Sequence, residues 1–476
     1  MHILEFKEEE HFTLNEFQNM LKNIKDKFET TYILEQLELA HCLKHYIPNR
    51  DLNETIDEYE LHIKEKEYYK FTFIGIIVLD NYCFVVYPKY WNSISQGHNK
   101  KEKFNTILNV IQKYNKNKKY NIGYSHSEND NNYITVAIKL LKEYILNGLY
   151  FNEQSVYEVN GEGEIMWDST INDHIAYIHG GTPYYLDFVT QSKTINNEDL
   201  LRRLHAAIIT DIYINLRNLL YYIDLDYNFN ISHEKITDFG PPDYLIYIIE
   251  RELSLQFISE KQEILKNMKS YIQNKYSNYD NKLQIYGTTS FNMIWEDVCS
   301  AVYQNNLNDE LKSLELLFDQ NKKTATNKLK DIVEKPLWTI NQNDIFAKGT
   351  LKLDVLSVDK EYKTLRIFDA KYYLINYKKD ENDTFEIYGQ PGVNDIVKQY
   401  LYQLAYTDFA TKNGYKFSNC FIFPKDDLIE TDLQDNLGKG QIIGTVKMDM
   451  LSSLNLNDIT LIGRDCQTIY NEYLKL

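Results

Sequence analysis

The sequence predicts a multidomain α+β protein with a mixed α/β N-terminal domain, a helical middle and a C-terminal α/β domain. Three observations carry this. Tyr68 to Tyr90, YYKFTFIGIIVLDNYCFVVYPKY, holds two β-rich runs around the turn pair Asp80-Asn81, and Pro88 closes the second. Residues 196–225 and 243–275 carry long apolar periodicity at helical spacing, separated by Gly240-Pro241-Pro242. From about Thr288 the pattern reads helix, strand, strand, helix, strand. A chain of 476 residues has room for two or three such domains.

Composition narrows the class. At 43% hydrophobic and 25% charged residues the chain is globular. Its 52 Lys and Arg against 69 Asp and Glu give a net charge of −17. Such a chain is repelled on average by a polyanion, so any affinity for nucleic acid must come from a local basic groove or a partner. The five cysteines form no C-x-x-C pair and read as reduced thiols, neither a disulfide framework nor a zinc or iron–sulfur site. His41 and His45 stand at helical i, i+4 spacing without the glutamate of H-E-x-x-H, which favours a structural role. The N-terminus has no apolar signal core, and the apolar run Phe73 to Leu79 is too short to span a bilayer. The expectation is a soluble cytoplasmic protein.

The elements follow in order. Thr13 to Leu43 places Phe17, Leu21, Ile24 and Phe28 at rough helical spacing. Lys100 to Lys103 and Lys113 to Lys119 read as a solvated helix face and a loop, and Asn129 to Asn132 as a polar loop. Val136 to Leu149 is a helix ended by Gly148. Gly161 to Asn172, GEGEIMWDSTIN, reads as a turn and then a strand, its two early glycines permitting close backbone approach. Ser290 caps a helix whose stripe is Phe291, Ile294, Trp295, Val298 and Val302. Glu296 sits off that stripe, so periodicity alone makes it a flanking, solvated residue. Asn394 to Asn413 is a helix stopped by Gly414, with an apolar stripe of Ile396, Val397, Tyr400, Leu401 and Leu404. A different face carries Asp395, Gln399, Tyr402, Gln403 and Tyr406, groups suited to phosphate or sugar contacts or to a plain polar surface. Phe417 to Phe423 and Gln441 to Met448 are further strands.

The chemistry concentrates in Gly349 to Tyr373, two strands joined by Asp359-Lys360-Glu361. Leu351, Leu353 and Val355 alternate with Lys352 and Asp354. Asp369 and Lys371 are two residues apart, so both leave the sheet on one side, where Asp354 can meet them from the neighbouring strand. Two carboxylates and an ammonium there can hold a hard divalent cation and polarise a water. A three-residue D-x-K match is weak alone, and a surface ion pair is the competing reading. The surrounding order of helices and strands raises the first. The arrangement resembles the PD-(D/E)xK nuclease core, with Leu353 where that family has its proline.

Five pieces in one order extend the likeness: Phe73 to Trp91, Gly161 to Asn172, Ser290 to Tyr303, the Asp354 and Asp369 strands, and Asp395 to Tyr406. Together they resemble the McrC-like subunits of restriction systems, and most closely the LlaJI-type restriction endonuclease subunit. The resemblance implies a DNA endonuclease acting on double-stranded DNA with Mg2+, or Mn2+ as a substitute. Asp354, Asp369, Lys371, Glu296 and Gln399 would be its catalytic residues, with Gln403 competing for the last place. Asp354, Asp369, the Ala370 carbonyl and Glu296 would be its metal ligands. It further implies a separate McrB-like AAA+ GTPase partner, and the chain itself has no G-x-x-x-x-G-K-[ST]. The expected division is residues 1–172 for an α/β domain that binds the partner, 173–287 for a helical linker and 288–476 for the nuclease, with dimerisation through the nuclease a further expectation. A non-catalytic adaptor of the AAA+ ring and a processing exonuclease of the RecB or Cas4 kind are the alternatives.

Overall fold

The protein is described by a computed structural model over residues 2–21, 27–47, 67–79, 82–92, 99–121, 133–276, 283–318, 324–379, 385–433 and 437–476. It is an α+β protein, and among the described residues no helix is long and apolar enough to cross a membrane. Contacts group the chain across the three consecutive segments expected from sequence. Met1–Ser125, Tyr222–Asp224 and Gly287–Leu476 form one compact unit; His126–Tyr221 and Leu225–Tyr286 form the other.

The first unit is built on a six-stranded sheet. Val355–Asp359 lies at one edge, antiparallel to Thr364–Ala370. Lys416–Lys425 and Ile459–Asp465 then add in parallel, and Lys439–Val446 and Thr431–Asp432 complete the sheet antiparallel. Parallel neighbours need a crossover, and the helix Val393–Asn413 supplies it between Thr364–Ala370 and Lys416–Lys425. Successive residues of a strand face opposite ways. Ile367 therefore enters the core beneath that helix with Leu356, Leu365 and Tyr406, while Phe368 meets the Tyr303 ring at 4.5 Å on the other face. There the helix Phe291–Val302 packs, and the Trp295 indole donates to the Ile422 carbonyl at 3.2 Å.

The N-terminal residues share this unit. His2–Lys7 pairs in parallel with Tyr82–Tyr87, which pairs antiparallel with Ile74–Leu79. The Asp80-Asn81 turn and the Asn129 to Asn132 loop lie outside the described residues. Tyr90 and Tyr470 hydroxyls meet at 2.8 Å in a buried contact, and Gln467 donates to Thr106 at 3.1 Å. Lys103, expected on a solvated helix face, is buried instead, bonded to Asp426 at 2.8 Å and to Asp427. The reason is tertiary: the helix Asn99–Asn121 packs on Cys466–Lys475, and a lysine is buried when a carboxylate meets it. His41 and His45 do not share a helix. His41 sits at φ 56° past the end of Lys27–Leu39, and His45 lies on the strand Leu43–Tyr46, bonded to Glu67 at 2.7 Å. All five cysteines are free and buried.

The second unit carries the helices Tyr133–Asn147, Pro242–Leu255 and Ser259–Tyr276, with most of Leu200–Tyr222. Its small sheet places Val189–Ile195 between Glu153–Val159 and Glu164–Ile165. In GEGEIMWDSTIN the strand is only those last two residues, and the segment continues as the helix Trp167–Asp173. The buried Thr170 hydroxyl accepts from Val189 N–H at 2.9 Å and fixes that helix on the sheet. A Cβ on Gly163 would lie 2.2 Å from the Gln191 carbonyl oxygen, so only glycine fits.

The helix Val393–Asn413 buries Tyr400 and packs Ile396 as its stripe predicts, but departs from the expected faces elsewhere. Gln399 is 0% exposed, while Leu401 and Leu404 are 41% and 37% exposed. The expected phosphate-contacting face is the buried one. Its amides are chained together: Gln399 donates to Asn419 Oδ1 at 2.6 Å, Asn419 to Gln403 Oε1 at 3.3 Å, and Gln403 to Asn457 Oδ1 at 2.7 Å, with Gln399 Oε1 buried and unpartnered. Hydropathy periodicity cannot see such pairing, which removes most of the cost of burying polar groups. Asn419→Ala removes the closest acceptor of Gln399 and the donor to Gln403 and should lower stability by about 1–3 kcal/mol, whereas Leu404→Gln should change it by less than about 0.5 kcal/mol. Urea unfolding followed by Trp295 fluorescence measures both.

Candidate active site

Asp369 is the last residue but one of the strand Thr364–Ala370, and Asp354 immediately precedes the paired strand Val355–Asp359. The regular strand starts later than the alternation from Leu351 suggested, so Asp354 sits at its mouth. Two contacts hold it. Ala370 N–H donates to Asp354 Oδ2 at 3.0 Å, and Asn305 Nδ2 donates to the Asp354 carbonyl at 2.9 Å. Asn305 Oδ1 also accepts from Leu356 N–H at 3.2 Å, so this side chain fixes the entry to the strand. Nothing in the sequence singled Asn305 out; its role depends on the turn that ends the Glu296 helix.

Lys371 lies just past its strand, where its N–H still bonds the Ile422 carbonyl at 2.9 Å. Its Nζ stands 2.7 Å from Asp369 Oδ2 and 2.9 Å from Asp395 Oδ1. Asp395 occupies the first turn of the helix Val393–Asn413 and was read from sequence only as part of a polar face. Its pairing with Lys371 was visible only as an acid at a helix start, a common feature.

The electrostatics follow from crowding. Burial first, then the charge of Asp369 and a hydrogen bond with it, pushes the Asp354 carboxyl far above the usual range. Glu296, the flanking residue of the sequence pattern, is drawn into the same field. Its carboxyl is raised by burial and then by Asp369, against Lys352 and Lys371. Burial pulls the Lys371 ammonium down, but Asp369 and Asp395 outweigh it and hold the group above its ordinary value. At neutral pH Lys371 is a cation among acids that resist ionising together.

These groups line a cleft of about 1280 Å³. One part of its lining comes from the ends of the Asp354 and Asp369 strands with Lys352, Lys398 and Tyr402; another comes from the N-terminal residues Lys7 to His11, Lys70 and Lys89. The two parts are joined through Tyr372, next to Lys371. Its hydroxyl donates to Glu8 Oε2 at 2.6 Å, and Lys89 Nζ lies 4.7 Å from its ring centre. Gln399 is not brought to the cleft. Its amide contacts Asn419, the Cys420 carbonyl and the Ile367 carbonyl inside the sheet, and Gln403 is likewise occupied.

Among the described residues no group of three or more His, Cys, Asp or Glu side chains is arranged to hold a metal ion. The mutually bonded pair Asp354 and Asp369 nevertheless offers hard oxygen donors with a third carboxylate in their field. Magnesium is commonly held by one or two carboxylates with waters completing its shell, so the donor set fits that ion.

Known proteins resemble the chain as a whole. A curated relative, the type II restriction enzyme BsuMI component YdjA of Bacillus subtilis strain 168, is 28% identical over 420 residues, covering 85% of this chain and 81% of that protein. A refined half-complex of Thermococcus gammatolerans McrB AAA+ hexamers with bound McrC contains a chain matched at TM-score 0.39 and 14% identity, over 100% of this chain and 99% of that one. The cryo-EM structure of the Thermococcus gammatolerans McrBC complex matches at TM-score 0.24 and 13% identity, over 57% and 79%. The model of the LlaJI restriction endonuclease family matches residues 73–463, most of the chain, and the chain belongs to that family.

Proposed function

We propose that the protein is the DNA-cutting subunit of a restriction system, hydrolysing phosphodiester bonds of double-stranded DNA with Mg2+ when a separate AAA+ NTPase activates it. The observation that carries this reading is the Asp354–Asp369 pair in contact with a charged Lys371 at the mouth of one strand pair. We read the six-stranded sheet around it as a PD-(D/E)xK core. Asp354, Asp369, the Ala370 carbonyl and Glu296 would hold the ion. When bound, Mg2+ withdraws charge from the scissile phosphate and lowers the pKa of a coordinated water.

The chain's own groups do the rest. Lys371 keeps its proton and presents N–H donors where charge grows on the phosphate. Asp395 and Asp369 aim that ammonium from two sides. Tyr402 donates to the Lys352 carbonyl at 2.7 Å and fixes the backbone that enters Asp354. Cleavage would leave a 3′-hydroxyl and a 5′-phosphate.

The partner reading rests on the relative's designation as a component of a restriction enzyme and on the second unit's surface. Around GEGEIMWDSTIN, the side chains of Trp167, Ile171, Ile175 and Ile178 are all exposed. Exposed apolar groups gathered in one segment mark protein contacts, and we assign these to the AAA+ ring.

Asp369→Asn should abolish Mg2+-dependent plasmid cleavage by the chain with its AAA+ partner and leave the circular dichroism spectrum unchanged. Lys371→Ala should slow cleavage by about 100-fold or more yet keep Mn2+ binding in calorimetry, because an ammonium is not a ligand. Cleavage at the wild-type rate by either variant would refute the site.

The partner surface is tested by point variants, because removing either end of the chain would break the core that the first 125 residues share with the C-terminal module. Trp167→Asp combined with Ile175→Asp should cost most of the stimulation that the full chain gives to NTP hydrolysis by the ring. Duplex binding by the isolated chain should be unaffected. Undiminished stimulation would move the contact elsewhere.

A further inference from the structure

The segment between the Glu296 helix and Asp354 sends out a two-stranded ribbon, Leu337–Ile340 paired with Asn343–Phe346. Asn341 and Gln342 at its tip both have positive φ, 51° and 65°, the two-residue turn that matches the natural twist of a hairpin. Its root is pinned. Ala347 N–H bonds the Pro336 carbonyl at 2.8 Å, and the Thr350 hydroxyl bonds the Glu334 carbonyl at 2.7 Å.

Every residue of the ribbon is exposed, and its character is apolar: Leu337 50%, Trp338 60%, Ile340 53%, Ile345 55% and Phe346 67% exposed. Paired residues share a face, so Trp338, Ile345 and Ile340 form one apolar side, and Leu337 with Phe346 starts the other. A ribbon with no core behind either face is marginal alone and gains stability from what it touches.

Two facts say what that is. The root presents free cations. Lys335 and Lys348 flank the ribbon, exposed and without an ion partner among the described residues, and with Lys330 and Lys352 they line a groove of about 1100 Å³ whose acids are Asp331, Glu334 and Asp354. The ribbon's one charged side chain, Asp344, accepts the Thr339 hydroxyl at 2.6 Å. The groove is also continuous with the candidate active site, since Lys352 and Asp354 line both. A duplex whose backbone reaches Asp354 and Lys371 has this groove as its onward path, and the ribbon stands beside it.

We infer that the ribbon Leu337–Phe346 is a DNA-gripping arm that inserts its Trp338 and Ile345 face into a groove of the duplex while Lys335 and Lys348 bind phosphates at its root. A two-stranded ribbon fits the duplex major groove, and apolar side chains contact thymine methyls or wedge between base steps. The inference rests on the reading of the Asp354 site as a DNA-cutting centre.

The test uses the full chain, a fluorescein-labelled 30-base-pair duplex and Ca2+ in place of Mg2+ at low salt. The expected result is that Trp338→Ala with Ile345→Ala weakens binding at least about tenfold, that Trp338→Phe restores it, and that the duplex quenches a tryptophan signal absent from Trp338→Phe. Lys335→Gln with Lys348→Gln should flatten the slope of log K against log salt by about 2. Wild-type affinity and salt slope in these variants would overturn the arm. So would a fall in sedimentation mass in Trp338→Ala at unchanged affinity, which would give the surface to a second copy of the chain. Absence of any duplex binding by the wild type would overturn it as well. Asp369→Asn separates the two readings: if it still cuts while the ribbon variants lose affinity, the cutting site is misplaced and the arm stands.

Discussion

The active end of this protein depends on keeping two carboxylates in contact at the mouth of one strand pair. Like charges so close cannot both ionise freely, and burial makes the charged forms costlier still. The structure meets that cost with an ammonium and a backbone donor. Lys371 reaches Asp369, and the Ala370 amide reaches Asp354. Both come from the residues that directly follow Asp369, so the D-x-K spacing brings an acid and its compensating groups together in one turn of chain. What remains is a cluster of carboxyl oxygens facing a cleft, a donor set suited to the cation of the proposed function.

Holding that contact requires fixing the backbone on both sides of it. Asn305 fixes the entry to Asp354, and Asp395 fixes the outer end of Lys371. Tyr372 is fixed by Glu8, whose carboxyl burial pushes up to about 7 against the pull of Tyr372 and Lys89. The N-terminal residues thus line the candidate cleft as well as sharing its core. Through Tyr372 they contact the residue next to Lys371. The division into a binding half and a cutting half, natural in the sequence, is blurred by that contact.

How much was legible follows from which interactions are local. Asp354, Asp369 and Lys371 could be placed because a strand has period two and the three residues lie in or directly beside two adjacent strands. The helix Phe291–Val302 could be placed by its stripe, but periodicity left Glu296 outside the site, because the field that recruits it comes from Asp369 across the sheet edge. Gln399 and Gln403 were misread as groups facing a ligand. Hydropathy ranks an amide as exposed, and only the partners Asn419 and Asn457, remote in sequence, make its burial affordable in energy. Lys103 fails for the same reason, its carboxylate partners lying more than 300 residues on. In each case the deciding partner was distant in sequence, and a single chain without relatives carries no record of distant pairs.

Net charge is the clearest example of a global property that misleads locally. At −17 the chain as a whole should avoid a polyanion. Yet screening at physiological salt limits charge interactions to about 8 Å, so a bound duplex responds mainly to the side chains beside it. Those around the Asp354 mouth include Lys352, Lys371 and Lys398, with Lys330, Lys335 and Lys348 along the adjoining groove. The acids beside them are Asp354, Asp369 and Glu296 at the mouth, Glu8, Glu9 and Glu10 along the cleft, and Asp331 and Glu334 along the groove. Under the proposed function, a cation held at Asp354, Asp369 and Glu296 would make that surface less negative toward a duplex, and DNA affinity there would depend on the same ion as cleavage. The acidic remainder of the chain then opposes contacts elsewhere, which favours engagement at the cleft over indiscriminate binding.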